Sequence, residues 1–560
     1  MSERILIGVA WPYANGPLHL GHMAGCYLAA DIFARYHRLK GDQVLMVSGS
    51  DQHGTPITLR AEQEGTSPQQ VVSRYHQDFL RSWERMGISF DLFTTTGTEN
   101  HRATVHDFFR VLQDKGYIYT ATTPLPYCHT CRRFLPDRYL KGTCPFCGDI
   151  DARGDQCERC GNPMNPTDLI DMQCRISGDT PEIRSSEHFF FKLSAFQEPL
   201  LAWVKEQKHW RPNVLNFTQR YLEDGLKDRA ITRDLDWGVP VPVQGYDDKR
   251  IYVWFEAVIG YLSASKEWAR AQGQPDSWMP FWQDDTRGYH FIGKDNIPFH
   301  TIIWPAMLMG YGGLNLPYDV PANEFLNLEG RKLSTSRNWA VWVPDYLERH
   351  DPDPLRYYLS ITMPETSDSD FTWWDFVRRN NDELVATYGN LVHRVLTFTY
   401  RSFQGRIPQP GALDEAAQEF LGRANQLFQD ADHHLHLCHF RSALSDAMTM
   451  AQAANRYLDS KQPWKTIKKD PQDAATTLWV VLSVINCLKT ALYPFLPFSS
   501  EKLHRMLGFA DALSERGWSW EPSLDALPPG QSMSTPEPLF LKLEDEVAAA
   551  EVERLKSTAR

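Results

Sequence analysis

Two imidazoles, His19 and His22, stand three residues apart in His19-Leu20-Gly21-His22, just after the apolar run Arg4–Ala10 (RILIGVA). If they open a helix, its free N–H groups and partial positive charge favour phosphate. Side chains at i and i+3 share a face, so both rings can donate to phosphate oxygens, and Gly21 leaves room for a ligand against the backbone. Two ordinary surface histidines would look the same in isolation. A second segment, Lys332-Leu333-Ser334-Thr335-Ser336, follows Glu329-Gly330-Arg331. A glycine-led loop with a lysine and hydroxyls suits a polyphosphate. Alone it is a solvated basic loop.

Cysteines carry the third signal. Seven of the ten lie between Cys128 and Cys174, and dispersed disulfides do not cluster so tightly. Cys144-x2-Cys147-x9-Cys157-x2-Cys160 has the spacing of a closed, structural tetrahedral zinc site with four thiolates, against a redox or disulfide reading. Cys128 and Cys131 form another CxxC. Its partner segment, Cys174-Arg175-Ile176-Ser177, has serine at the fourth position. Three thiolates completed by water, by His129 or by nothing are the alternatives for a second zinc. His433, His434, His436, Cys438 and His439 lie in a helical stretch without closed ligand spacing and read as helix-surface or core residues.

The elements that must position these groups follow from periodicity. Residues 4–10 read as a buried strand, Trp11 to Leu18 as a loop, and the next stretch as a helix to Lys40 stopped by Gly41. Residues 43–48 read as the next strand, and this β–loop–α–β order predicts a parallel, doubly wound sheet. Ser67, Pro68 and Gln70 predict a capped helix running to Met86 with Gly87 as its stop. Residues 116–180 lose periodicity and read as an insertion held by metal. Residues 251–255 (IYVWF) and 289–293 (YHFIG) read as strands of the resumed sheet. From about Asp382 to Phe509 the pattern is that of a helical bundle. Residues 521–538, with five prolines, read as a linker, and Leu541 to Lys556 as a short helix.

The fold class is therefore α/β: a Rossmann-like doubly wound parallel sheet split by a zinc-knuckle insertion and followed by a C-terminal α-helical bundle. The boundaries are 1–115 and 236–322 for the two halves of the sheet domain, 116–235 for the insertion and 323–385 for a junction carrying the lysine loop. The bundle is 386–520, and 521–560 is linker and C-terminal helix. The 560 residues are 42% hydrophobic and 23% charged, which excludes a disordered or collagen-like chain. A net charge of −12 gives no global basic field, so a nucleic-acid partner needs local basic patches. Lys461, Lys465, Lys468 and Lys469, with Arg401 and Arg406, supply one. The first ten residues lack the apolar length and cleavage site of a signal peptide. The longest apolar run, Leu478 to Leu488, is too short for a bilayer. A cytoplasmic protein with no membrane partner is expected.

The HxGH segment followed late in the chain by a KxSxS-like loop resembles the signature pair of class I aminoacyl-tRNA synthetases. Further segments are similar to the methionyl-tRNA synthetase family: Ala10-Trp11-Pro12-Tyr13-Ala14-Asn15-Gly16, Gly49-Ser50-Asp51-Gln52-His53-Gly54-Thr55-Pro56, Glu187-His188-Phe189-Phe190-Phe191, Tyr252-Val253-Trp254-Phe255-Glu256-Ala257 and His290-Phe291-Ile292-Gly293-Lys294-Asp295. They occur in family order across residues 4–510.

The resemblance implies a methionine–tRNA ligase that forms methionyl-adenylate from methionine and ATP. It then charges the 2′-hydroxyl of the terminal adenosine of tRNA(Met). It assigns His19, His22 and Lys332 to the ATP phosphates and catalysis, and Gly293 and Asp295 to the ATP ribose. Asp51 takes the methionine ammonium, and Tyr13, Trp254, Ala257, Tyr261 and His300 wall the side-chain pocket. Arg233 lies in a segment that resembles one near the family site. Magnesium is expected with ATP, and the zinc insertion is expected to help place the acceptor end. Asn390 and Arg394, at i and i+4 on one face, together with Trp464 match the family's anticodon readers.

The chain departs from the family pattern at Thr335, where a second lysine is commonest, at Leu333, commonly methionine, and at Val258, often proline. Arg331 or Arg337 is expected to supply the charge missing at Thr335. No additional tRNA-binding and dimerisation module follows the bundle, so a monomer is expected. A catalytically silent tRNA-binding paralogue and a zinc-organised binding protein are the rival readings. The first predicts no adenylate, and the second no ATP affinity.

Overall fold

The computed structural model describes residues 2–135, 139–154, 157, 159–160, 162, 164–335 and 337–559, so Ser336 of the lysine loop lies outside the described residues. Five parallel strands form the central sheet, in the order Ala322–Asn323, Thr286–Gly293, Arg4–Val9, Gln43–Ser50 and Leu92–Thr95. Arg4–Val9 is the middle strand, with Arg4 opposite Thr286 on one side and opposite Gln43 on the other. Its apolar residues are buried, as a parallel strand covered on both faces requires. Consecutive strands step away from it in one direction, and Thr286–Gly293 returns on the other. The order reverses between these two neighbours. The crevice beyond their carboxyl ends is where such sheets bind ligands.

Local signals place the helices. The first begins at Leu20–His22, passes through a π-helical turn at Met23–Tyr27 and continues as Leu28–Leu39. Gly41, at φ +83°, follows its end. Helix Pro68–Met86 has the expected reciprocal cap between Ser67 and Gln70, and Gly87 ends it at φ +70°.

One strand reading fails. Only Lys249–Ile251 is extended, and it pairs with Thr232–Asp234 away from the central sheet. Helix Val253–Ala271 starts two residues later. That helix is buried on nearly every side, from Phe255 and Ile259 to Glu256 and Ser263. Its apolar run therefore shows no 3.6-residue period, and a short run cannot be told from a buried strand.

The insertion is built on an antiparallel ribbon, Ile118–Cys128 against Glu182–Phe191, with Ile118 opposite Phe191 and Tyr127 opposite Glu182. The cysteine-bearing segment lies beyond its end, around a small core that includes Leu135, Tyr139, Leu140 and Leu169. In the bundle, Glu415–His436, Phe440–Lys461 and Asn390–Ser402 pack around Pro471–Leu492. The last is apolar and long enough to cross a membrane, but it lies wholly inside the bundle. Among the histidines of residues 433–439, His434 Nδ1 pairs with Asp446 at 2.7 Å. The metal-sized groups among the described residues are cysteine groups elsewhere. Helix Asp545–Thr558 folds back on Trp373–Arg379, and Arg349 clasps its Glu551 at 2.6 and 2.9 Å.

Candidate active site

The two signature segments meet at the reversal point. His19 caps the first helix, and its Nδ1 accepts the Gly21 N–H at 3.1 Å. His22 Nδ1 accepts the His19 N–H at 3.1 Å. The rings lie 3.9 Å apart, centre to centre. Burial, helped by the proximity of His22, holds the His19 pKa well below its ordinary value, and burial holds His22 at about 4. Both are neutral at pH 7. With each Nδ1 accepting, each proton sits on Nε2, so each ring keeps one donor for a ligand oxygen.

The lysine loop is tied to this helix start. Leu20 N donates to Val341 O at 3.1 Å and Val343 N to Leu18 O at 2.8 Å. Trp342 meets the His19 ring edge-on. Leu333 rests over Gly21: a Cβ there would stand 2.7 Å from Leu333 Cδ1. Lys332 is exposed on a hairpin in which it pairs with Asn327, turned at Glu329 and Gly330, φ +49° and +74°. Of the two neighbouring arginines, Arg331 lies over Trp339 at 5.0 Å and Arg337 Nε donates to Ser334 Oγ at 3.2 Å. Gly293 ends the strand beside Arg4–Val9, with exposed Asp295 two residues on. Lys294 between them is committed to Glu324 and Asp368, both at 2.7 Å.

The carboxylate and aromatic residues assemble next to these loops. Asp51 is buried at the end of Gln43–Ser50 and bridged to Tyr13: Asp51 N donates to Pro12 O at 2.8 Å, and Ala14 N to Asp51 O at 2.9 Å. Burial and the nearby Glu256 charge push its pKa well up, against one hydrogen bond from His53 N. A buried carboxylate so placed gains strongly from a cation. Trp254, Ala257 and Tyr261 recur at i, i+3 and i+7 on helix Val253–Ala271 and so share one face. Trp254 Nε1 donates to Tyr13 Oη at 2.8 Å and meets Phe299 edge-on at 4.6 Å. Burial lowers the His300 pKa to about 4, although the hydrogen bond to Asn296 O opposes it. Its Nδ1–H donates to that carbonyl at 3.0 Å, so its Nε2 accepts the Tyr261 hydroxyl at 2.7 Å. His300 sits in a π-helical turn, Phe299–Ile303, a local distortion common at functional sites. Val258, at the departure from the family pattern, is buried.

Sequence reasoning missed the support behind Asp51. Glu256 is fully buried between His53, 2.7 Å away, and His101. Burial raises its pKa, but the two histidines overcome this and hold it at about 2. A lone glutamate inside the apolar run 251–262 was the available signal.

The cysteines form two groups whose sulfur atoms all lie within 4.8 Å of one another: Cys144, Cys147, Cys157 and Cys160, and Cys128, Cys131 and Cys174. Zn–S bonds of about 2.3 Å require S···S edges of about 3.8 Å in a tetrahedron. Cys147–Cys157 is 3.6 Å, Cys144–Cys160 3.9 Å and Cys131–Cys174 3.7 Å. The donor sets therefore fit zinc. Turn geometry repeats between the groups. Gly148 N donates to Cys144 O and Cys144 N to Asp149 O, while Gly178 N donates to Cys174 O and Cys174 N to Asp179 O. Ser177 thus stands where Cys147 stands in the first turn, 3.3 Å from Cys128 Sγ. His129 is instead engaged by Glu182 at 2.6 Å.

Far from these groups, Asn390, Arg394 and Trp464 come together on the bundle. Arg394 lies over the Trp464 ring at 5.4 Å and pairs with Asp459 at 3.1 Å. Asn390, one turn earlier, is exposed.

Comparison with known proteins agrees with this geometry. Residues 5–396 match the family described as tRNA synthetases class I (M), and residues 407–560 the anticodon binding domain of methionyl tRNA ligase. A methionine–tRNA ligase of Dehalococcoides mccartyi strain BAV1 is 59% identical over 555 residues, covering 99% of this chain and 100% of the relative. One from Thermomicrobium roseum is 54% identical over 586 residues, covering both chains fully. The structure of Mycobacterium tuberculosis methionyl-tRNA synthetase in complex with methionyl-adenylate superposes with a TM-score of 0.79 at 27% identity, over 96% of this chain and 99% of that one. The chain belongs to the methionine–tRNA ligase family of class I aminoacyl-tRNA synthetases.

Proposed function

We infer that the protein joins methionine to tRNA(Met) in two steps, and that the residues just described do the work. The observation that carries this is the buried Asp51 carboxylate, short of a cation, beside the Tyr13–Trp254 and Tyr261–His300 pairs and next to both phosphate-suited segments. An amino acid with an uncharged, polarisable side chain fits there: the ammonium meets Asp51 and the thioether lies among aromatic rings.

In the first step a methionine carboxylate oxygen attacks the α-phosphorus of ATP. The bond from that phosphorus to the bridging oxygen breaks, and pyrophosphate leaves with the electron pair. His19 and His22 donate through Nε2 to the phosphates, Lys332 neutralises the departing charge, and Gly293 and Asp295 hold the ribose. Positioning and charge stabilisation carry the rate in such a reaction. Magnesium bound with ATP supplies further neutralisation of the phosphates. In the second step the terminal adenosine 2′-hydroxyl attacks the methionyl carbonyl carbon, forming the ester. AMP leaves with the electrons of the broken acyl–phosphate bond, and the hydroxyl proton passes to a phosphate oxygen or water.

Cys144, Cys147, Cys157 and Cys160 hold one structural zinc, which organises a segment too small to fold on its own core. Cys128, Cys131 and Cys174 form a second, three-thiolate site with Ser177 at the fourth corner. Asn390, Arg394 and Trp464 read the anticodon by stacking and hydrogen bonds to base edges. The protein works as a cytoplasmic monomer; sedimentation at twice the chain mass at micromolar concentration would overturn that. The deciding experiment is ATP–pyrophosphate exchange with each of the twenty amino acids and no tRNA. Exchange driven mainly by methionine is expected. No exchange with folded, zinc-replete protein would favour the silent tRNA-binding paralogue.

A further inference from the structure

A cavity of about 100 Å³ lies on the far side of Trp254 from Tyr13, between the catalytic domain and the insertion. None of the phosphate-binding residues lines it. One wall is Tyr252, Trp254 and Phe299, the aromatic edge of the methionine pocket. The opposite wall is Tyr221 and Arg229, and the loop Met164–Pro166 that trails the cysteine group forms the roof. The walls are pre-assembled. Arg229 donates to Tyr221 Oη at 2.7 Å, and the Arg233 guanidinium stacks on Tyr252 at 3.9 Å.

We propose that this cavity seats the unstacked 3′-terminal base of the tRNA while its ribose reaches the adenylate. The proposal rests on the ligase reading and deepens it. Three observations favour this occupant. Flat aromatic walls combined with arginines suit a base carrying a phosphate, whereas an apolar side chain or acyl chain has no use for two guanidiniums. The cavity shares Tyr252 and Trp254 with the methionine site, so an occupant lies against the reacting carbonyl from the side that ATP leaves open. Its roof belongs to the insertion, so seating the base and ordering the metal-bearing segment are one event.

The test uses the full-length, zinc-replete enzyme with Tyr221→Leu, Arg229→Gln and Arg229→Lys. Methionine-dependent exchange without tRNA is expected to stay at the wild-type level in all three. Single-turnover transfer from preformed adenylate is expected to fall about tenfold or more in the first two, the loss of one stacked or charge-assisted contact, and to recover in Arg229→Lys. The wild-type preference for tRNA ending in adenosine over tRNA ending in cytidine should shrink in parallel. Unchanged transfer, an equal loss of exchange and transfer, or no end preference in the wild type would each overturn the seat. Absence of exchange in the wild type would overturn the ligase reading itself.

Discussion

Asp31 and Arg356 are both fully buried and pair at 2.7 Å across the seam between the first helix and helix Pro352–Ile361. Arg356 also donates to the carbonyls of Met86, Pro494 and Phe495, so one guanidinium ties the sheet domain to the bundle. Burial pushes the Asp31 carboxyl up, but Arg35, Arg356 and the Ser89 hydroxyl overcome it and hold it at about 2. A depressed folded pKa means stability that is present above the unfolded value of about 4 and is lost as pH falls towards 2. Asp31→Asn should cost about 3–5 kcal/mol in denaturant titrations at pH 7, because it strands a buried cation. Its penalty should shrink as both proteins are acidified. A variant as stable as wild type at pH 7 would refute this account.

Gly21 is the point where the helix start and the lysine loop touch. A methyl group there would clash with Leu333 and with the His19 ring, at 2.7 and 2.9 Å. Gly21→Ala should leave the circular dichroism spectrum intact. It should cut methionine-dependent exchange by about tenfold or more, since small displacements of positioned groups are expensive. Wild-type exchange in that variant would show that the two segments need not be in contact.

The histidine tautomers are measurable. Nitrogen-15 spectra of histidine-labelled protein at pH 7 should show His19 and His22 as neutral rings protonated at Nε2, assigned by comparison with His19→Asn and His22→Asn. Burial lowers both pKa values, so no charge change of either ring is expected between about pH 5.5 and 8. A resonance titrating near 6.5 that vanishes in either variant would contradict the burial argument.

Ser177 occupies the corner that a fourth thiolate would take. Ser177→Cys should complete that site and tighten metal there by orders of magnitude. Zinc retained after chelator challenge should then rise by one equivalent per chain. Cys157→Ala should lose the equivalent held at the other group. If neither substitution changes zinc content, the sulfur clusters are not metal sites.

The parts of this protein legible in its sequence are those whose signals are local. The Ser67–Gln70 cap, the Gly87 stop, the buried strand Arg4–Val9 and the CxxC turns each depend on a few adjacent residues, and the structure has them at the expected numbers. Residues 251–255 misled because a helix buried on all sides hides its period. The pairing of Glu256 with His53 and His101 was invisible for another reason: its partners lie about 150 and 200 residues apart in the chain, and only the fold juxtaposes them.

The middle strand has a consequence for how the protein is made. Arg4–Val9 leaves the ribosome almost first, yet the neighbour on its inner edge, Thr286–Gly293, follows about 280 residues later. At about 5–20 residues per second that is roughly 15–60 seconds during which a flat, apolar strand edge has no partner. Stalled nascent chains ending before Thr286 should be cleaved readily next to this strand, and chains carrying the complete sheet domain should resist. For most of its synthesis the nascent enzyme thus offers the cell's chaperones the very strand on which its catalytic crevice will be built.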